Sequence, residues 1–318
     1  MADLVCIGEM VIDFLPGEST GVYIRNAGGA PANVAIAAVR NGITSGVYTK
    51  VGDDDFGVFL QDTLKKEGVE VLNPERAKNA MTTLAFVTLD EHGDRSFTFG
   101  RKPGADMFLN KSEVSADVIA KAQMVHAGSF SLSAPDSADA TREAMRLAHE
   151  DGKLVSFDIN YRNVAWNDDK EKCADEVKKL LPLVDLLKVS DEEVDMLGGE
   201  ENIPNVMKEN DITVVVMTLG GDGSKCFFNG INFLDRGYSE PQYVKDTTGA
   251  GDAFWGGFLS RLLILGVRSK NDVTEEIARD ALDYGNISGF LCVQEKGAIS
   301  SLPTRETIEA FRKDHSGK

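Results

Sequence analysis

Residues 246–256 read Asp-Thr-Thr-Gly-Ala-Gly-Asp-Ala-Phe-Trp-Gly, a glycine turn with a carboxylate on each side running into a strongly apolar stretch. Small residues at Gly249, Ala250 and Gly251 let backbone N–H groups converge where a helix begins, and the unsatisfied donors and helix dipole there favour an anion. Asp252 falls in the first turn, beside such an anion. A carboxylate repels bound phosphate, so its presence calls for a purpose, and accepting the proton of an attacking hydroxyl is one. Plain capping is the alternative, since Asp and Thr are favoured at helix N-termini with no chemistry attached.

A second glycine motif, Gly28-Gly29-Ala30-Pro31-Ala32-Asn33, has proline where a first helical turn tolerates it. Bare backbone there admits a hydroxylated ligand, and the Asn33 amide can both donate and accept. A turn into an alanine-rich helix would look the same. Neither motif fits the commoner nucleotide signatures. The run nearest to a Walker A loop, residues 220–225, lacks the GxxxxGK[ST] spacing, and a dinucleotide fingerprint would need glycine where Phe254 stands.

The elements that must position these residues alternate along the chain. Short β-branched runs at Leu4–Gly8, Gly46–Val51, Gln123–Ala127, Lys153–Asp158, Val184–Val189 and Ile212–Thr218 predict strands. Amphipathic or apolar stretches at Pro31–Asn41, Phe56–Glu67, Ser137–His149, Asp169–Leu181, Asp191–Leu197, Ala250–Leu265 and Glu275–Gln294 predict helices between them. Gly42, Gly68 and Gly152 stand where helix C-termini want a left-handed residue. The alternation is the pattern of an α/β fold with a mostly parallel central sheet. Two segments break it: Asp13–Ala27, and Thr83–Arg101, which reads as a hairpin turning at residues 90–94. Two strands are marginal alone, so together they predict a small sheet over one edge of the main domain. A short polar tail is expected after Ala310.

The bulk properties exclude several classes. With a net charge of −17 the 318-residue chain is a poor nucleic-acid ligand, because phosphate neutralisation needs a basic surface. No apolar run reaches the roughly 18 residues that span a bilayer, and the N-terminus enters a strand pattern directly, so a soluble, cytoplasmic protein is expected. Cys6, Cys173, Cys226 and Cys292 lack CxxC spacing and read as reduced core thiols. The four histidines are not paired at ligand spacing, which argues against a histidine zinc site.

Ten stretches, taken in order, carry a family resemblance: GEMVIDF (8–14), GGAPANVA (28–35), KVGDDDFG (50–57), GRKPGADM (100–107), HAGSFSL (126–132), FDINYR (157–162), KVSDEE (188–193), TLGGDG (218–223), DTTGAGDAF (246–254) and GAISSLPT (297–304). The chain resembles the ribokinase-like (PfkB) carbohydrate kinases, and among them it looks most like fructokinases. The resemblance implies a three-layer α/β/α fold, with residues 1–12, 28–82 and 102–318 forming the main domain and residues 13–27 and 83–101 a β-sheet lid. It implies Asp252 as base on the sugar hydroxyl, with Gly249, Ala250 and Gly251 as the anion hole. Asp13, Gly28, Gly29, Asn33, Arg101 and Arg162 match the substrate positions. Lys188, Ser190, Thr218, Gly220, Gly223 and Asn286 fall on the ATP side. Glu193 matches the acidic residue of an NxxE motif that organises Mg2+ through water, although Ser190 stands where Asn is usual. Asp246, Thr248 and Gly297 correspond to a K+ loop in many relatives. The implied partner is a small sugar, and a homodimer through the lid is one option. Fructose is the expected substrate. The alternatives are 2-keto-3-deoxygluconate, since DINYR also occurs in that neighbouring group, and a non-catalytic sugar-binding regulator, which should lack the GAGD aspartate.

Overall fold

The structure, a computed structural model, describes residues 2–17, 19, 21–89 and 95–315. Its strands are β1 (Leu4–Ile7), β2 (Val11–Pro16), β3 (Tyr23–Gly28), β4 (Ser45–Tyr48), β5 (Glu70–Val71), β6 (Leu84–Leu89), β7 (Arg95–Gly100), β8 (Met124–Gly128), β9 (Leu154–Asp158), β10 (Leu186–Ser190), β11 (Val214–Thr218), β12 (Ser224–Phe228) and β13 (Ile231–Asp235). Nine of them form one sheet in the order β13-β12-β11-β10-β9-β8-β1-β4-β5. From β5 to β11 every pairing is parallel, and β12 and β13 add an antiparallel edge.

The central parallel strands are buried and mostly apolar because both faces are covered. Along β1, Val5 and Ile7 enter one core while Leu4 and Cys6 enter the other, and along β11 Val215 and Val216 divide the same way. Helix Pro135–Glu150 covers the first face through Ala140, Ala144, Met145 and Ala148. Helices Ala30–Arg40, Ala250–Ile264 and Glu275–Cys292 cover the second. Helix Ala250–Ile264 is apolar on nearly every side because it is wedged between neighbours, and the Trp255 indole, fully buried, donates to Ser156 Oγ on β9 at 2.9 Å.

A second sheet of four strands runs β3-β2-β6-β7, with β2 and β6 parallel and the outer pairs antiparallel. The expected hairpin is present as β6 and β7, while its turn at residues 90–94 lies outside the described residues. The four cysteines are buried and free, and no helix among the described residues is long and apolar enough to cross a membrane.

Two local expectations are corrected, and one element was not foreseen. The helix expected at Asp191–Leu197 is only a 3₁₀ turn, Val194–Leu197, ended by Gly198 and Gly199, both at positive φ. The first part of the polar tail expected after Ala310, residues 311–314, belongs to a helix, Arg305–Asp314, because Phe311 on its inner face packs against Tyr238 and Phe290. The β12–β13 hairpin was not foreseen, although Asn229 and Gly230 at its turn, with φ of 47° and 79°, are a two-residue hairpin signal.

Candidate active site

The parallel strands end together, and their C-terminal ends carry Asp158 on β9, Lys188 and Ser190 on β10 and Thr218 on β11. Loops at this edge of an open α/β sheet form the usual crevice for ligands. The glycine turn at 249–251 arrives over the same edge. Gly249 caps helix Ala250–Ile264 in the left-handed region at φ 80°, and a side chain there would press against Ala298 at 3.0 Å. The Lys188 ammonium lies under the turn, 3.4 Å from where a Cβ on Gly251 would stand.

Lys188 is buried and paired with Asp158 at 2.8 Å. Burial alone would lower its pKa, but Asp158, Glu193 and Asp252 hold it above the ordinary lysine value. A fixed positive charge therefore sits below the N-terminal donors of the helix, where a transferring phosphoryl group needs it.

Asp252 points the other way. Its Oδ2 accepts a 2.7 Å hydrogen bond from Asn33 Nδ2, which joins the two glycine motifs 219 residues apart. Burial pushes the Asp252 carboxyl up to about 6, against the opposing pull of Asn33 and Arg162. Asp13 on β2 is pushed up to about 7, first by burial and then by the Asp252 charge, with Arg162 opposing. Gly28 makes room for it: a Cβ there would lie 2.0 Å from Asp13 Oδ2. Gly29 is the N-cap of helix Ala30–Arg40. Arg162 is exposed and makes no ion pair among the described residues, while its field reaches both Asp13 and Asp252. Asn33, Asp13, Gly28, Arg162 and Asp252 thus share one polar corner.

Arg101 is placed differently. Its Nε and Nη2 donate to Asp106 Oδ2 at 2.8 and 2.6 Å in a buried pair, and its guanidinium lies 4.4 Å from the Phe130 ring centroid. Thr83 hydrogen-bonds the same carboxylate, so this pair knots the root of the small sheet to the main body.

On the far side of the turn, a cleft of about 270 Å³ is lined by Thr218, Gly220, Gly223, Asn286, Ala250 and Gly251 among others. Asn286 Oδ1 accepts from Ser224 Oγ at 2.9 Å, while its buried Nδ2 has no protein partner among the described residues. Glu193 Oε1 accepts from the Tyr161 amide at 2.6 Å and Oε2 from the Ser190 amide at 3.0 Å. Asp246 Oδ1 accepts from the Thr248 amide at 2.8 Å and Oδ2 from the Gly297 amide at 3.0 Å, tying the glycine turn to the 297 loop.

Sequence reasoning missed four participants. Glu9 is buried with Oε1 accepting from the Ala30 amide at 3.1 Å and Oε2 unpartnered among the described residues, and burial pushes its carboxyl up to about 8. Asp158 and Asp106 anchor Lys188 and Arg101, and Tyr238 lines the cleft. Glu9, Asp158 and Asp106 lie inside stretches already singled out, but only tertiary contacts give them their roles.

Comparison with known proteins agrees with this geometry. Residues 1–305 match the family described as pfkB family carbohydrate kinase. Fructokinase-2 of Oryza sativa subsp. japonica is 37% identical over 314 residues, covering 95% of this chain and 91% of that one. The solved structure of fructokinase with bound ATP from Xylella fastidiosa has a TM-score of 0.91 at 30% identity, covering 99% of this chain and 100% of that chain. The fructokinase of Vibrio cholerae O395 in its fructose, ADP and calcium ion bound form has a TM-score of 0.86 at 33% identity, covering 98% of this chain and 99% of that chain. The chain belongs to the pfkB family of carbohydrate kinases. It is a phosphotransferase that acts on a sugar hydroxyl, built on the ribokinase-like fold expected from its motifs.

Proposed function

We propose that this protein is an ATP-dependent fructokinase that transfers the γ-phosphoryl group to the 6-hydroxyl of fructose, with Asp252 as the base. The observation that carries the reading is the turn shared by two compartments. Ala250 and Gly251 line the cleft, while the next residue, Asp252, bonds Asn33 in the polar corner. ATP in the cleft would bring its terminal phosphate to the Gly249–Gly251 amides and Lys188, and sugar in the corner would present a hydroxyl to Asp252. Asp13 and Asn33 would hold neighbouring hydroxyls, while Gly28 and Gly29 serve indirectly, the space a side chain would need being taken by Asp13 at the first and by the Glu9–Met10 backbone at the second. A loose phosphoryl-transfer transition state asks mainly for this alignment, with the proton accepted late.

The donor set fits hydrated magnesium. Glu193 already holds two amides, so it would act through water, with Ser190 beside it, while Asp158 Oδ1 has no protein partner among the described residues. Magnesium supplies neutralisation of charge on the transferring phosphate. For potassium, Asp246 would serve as the clamp that shapes the loop of Thr248 and Gly297. The reading includes a cytoplasmic enzyme and a homodimer through the small sheets, on which Tyr23 and Ile24 of β3 are exposed, as is Val22 just before them.

One observation favours a second substrate: Arg162, exposed and without an ion pair among the described residues, could meet the carboxylate of 2-keto-3-deoxygluconate. Asp13 opposes it by repelling that carboxylate while accepting hydroxyl protons from a neutral sugar. Coupled ADP-release kinetics should therefore give fructose a kcat/KM at least about tenfold above that for the sugar acid, equivalent to some 1.4 kcal/mol of differential transition-state binding. Preference for the acid would replace fructose while leaving the kinase standing.

A further inference from the structure

The C-terminal helix Arg305–Asp314 lies almost wholly beyond the family match, which ends at residue 305. It nevertheless touches the cleft wall. Tyr238, a lining residue, has its ring edge-on to Phe311 at 4.8 Å and to His315 at 5.7 Å, and it meets Phe290, also a lining residue, at 6.0 Å. Phe311 and His315 stack at 3.9 Å, and Phe311 contacts Phe290 at 5.5 Å. The Tyr238 hydroxyl donates to Asp283 at 3.4 Å, and Asp283 is itself paired with Arg312 of the same C-terminal helix at 3.0 Å. Gly237, just before Tyr238, lies against Asn286, where an added Cβ would stand 3.3 Å from the amide carbon.

We infer that Tyr238 and Phe290 form an aromatic wall for the nucleotide base, and that Phe311 is the positioning residue through which the C-terminal helix sets that wall. This rests on the cleft being the nucleotide site. The physical reason is that a half-buried tyrosine at the end of a loop has rotameric freedom to lose when a base packs on it. An edge-on partner that holds the ring beforehand removes that cost, so affinity rises without any contact between Phe311 and the ligand. The polar corner and Asp252 lie across the glycine turn, so the effect should fall on nucleotide binding and spare the sugar.

The test is calorimetric titration of ADP into wild type, Phe311→Ala and Phe311→Leu, together with KM for ATP and for the sugar, kcat and melting temperature. Phe311→Ala should weaken ADP and raise the KM for ATP on the order of fivefold, with sugar KM and kcat moved less than about twofold. Phe311→Leu, which keeps the apolar bulk and hence the fold but loses the aromatic edge, should fall between. Unchanged ADP affinity in a folded Phe311→Leu and Phe311→Ala overturns the inference, as does a parallel rise in both KM values, which marks a general structural role. Wild type that phosphorylates sugar yet binds no ADP, or binds it with Asn286→Ala and Tyr238→Ala both without effect, would instead remove the reading of the cleft itself.

Discussion

Asp252 and Asp13 are the two side chains whose chemistry the fold changes most. At a reference pKa of about 3.9 an aspartate is a feeble acceptor for an alcohol proton. Burial pushes Asp252 up to about 6 and Asp13 up to about 7, the Asp252 charge adding to the rise of Asp13. Both must be ionised to work, one to take a proton and the other to accept hydroxyl hydrogen bonds, so activity is lost as pH falls through these values. The kcat/KM for fructose, which reports the free enzyme, should decline below pH 7 and steepen below pH 6 toward a slope of two on logarithmic axes. A flat profile from pH 7 to pH 5 in a stable protein would show that these carboxylates do not titrate in the working site. The glycine turn and Asp252 were legible from sequence because the pattern is local. Glu9, Asp158 and Tyr238 were not, because their partners lie twenty or more residues away, and Asp106, only five residues from Arg101, was not because nothing local marks the two as a buried pair. Arg101 was expected at a substrate position, and its pairing with Asp106 was not foreseen.

The two sheets divide the labour between elements. The parallel sheet fixes Asp158, Lys188 and Thr218 at strand ends, and helix Ala250–Ile264 is tied to it by the Trp255 to Ser156 bond, so the phosphate side is built on packed elements. The small sheet contributes Asp13 and meets the main body through the Arg101, Asp106 and Thr83 knot. We expect it to act as a lid, since phosphoryl transfer to a sugar in preference to water requires the site to close. Amide hydrogen exchange in residues 13–27 and 83–101 should slow when fructose saturates the enzyme, whereas β8 to β11 should change little. Equal exchange with and without sugar in both segments would count against closure. The parallel strands and the main helices were readable because period and burial agree along them. Asp191–Leu197 failed as a helix because paired glycines stop it, and Glu193 spends its carboxylate on the amides of Tyr161 and Ser190.

At the scale of the whole molecule, the site is held at a cost that depends on pH. Glu9 has an ordinary value of 4.5 and is pushed up to about 8 in the fold, first by burial. Between those values the folded state binds more protons than the unfolded chain, so this group's contribution to stability falls as pH rises through the window. Glu9→Gln keeps an acceptor for the Ala30 amide and removes the ionisation. Its melting temperature relative to wild type should rise progressively from pH 4.5 to pH 8 and then level off. A constant difference across that range would mean that Glu9 stays ionised, hydrated by means other than the protein contacts seen here. Glu9, just beyond the N-terminal strand, holds the first glycine motif through the Ala30 amide, and the Asp252 charge reaches it from the helix Ala250–Ile264.

The central claim is that Asp252 takes the proton from the sugar hydroxyl while the adjacent turn holds the phosphoryl group. It is tested most directly by single-turnover transfer from ATP to fructose in wild type and Asp252→Asn, with the affinity of each ligand measured on the same samples. Asparagine keeps the size of the side chain and a partner for Asn33, but it cannot accept the proton. The account predicts a rate lowered by roughly 10² to 10⁴-fold, with fructose and ADP binding changed little. A folded Asp252→Asn protein that transfers phosphate at the wild-type rate would contradict it.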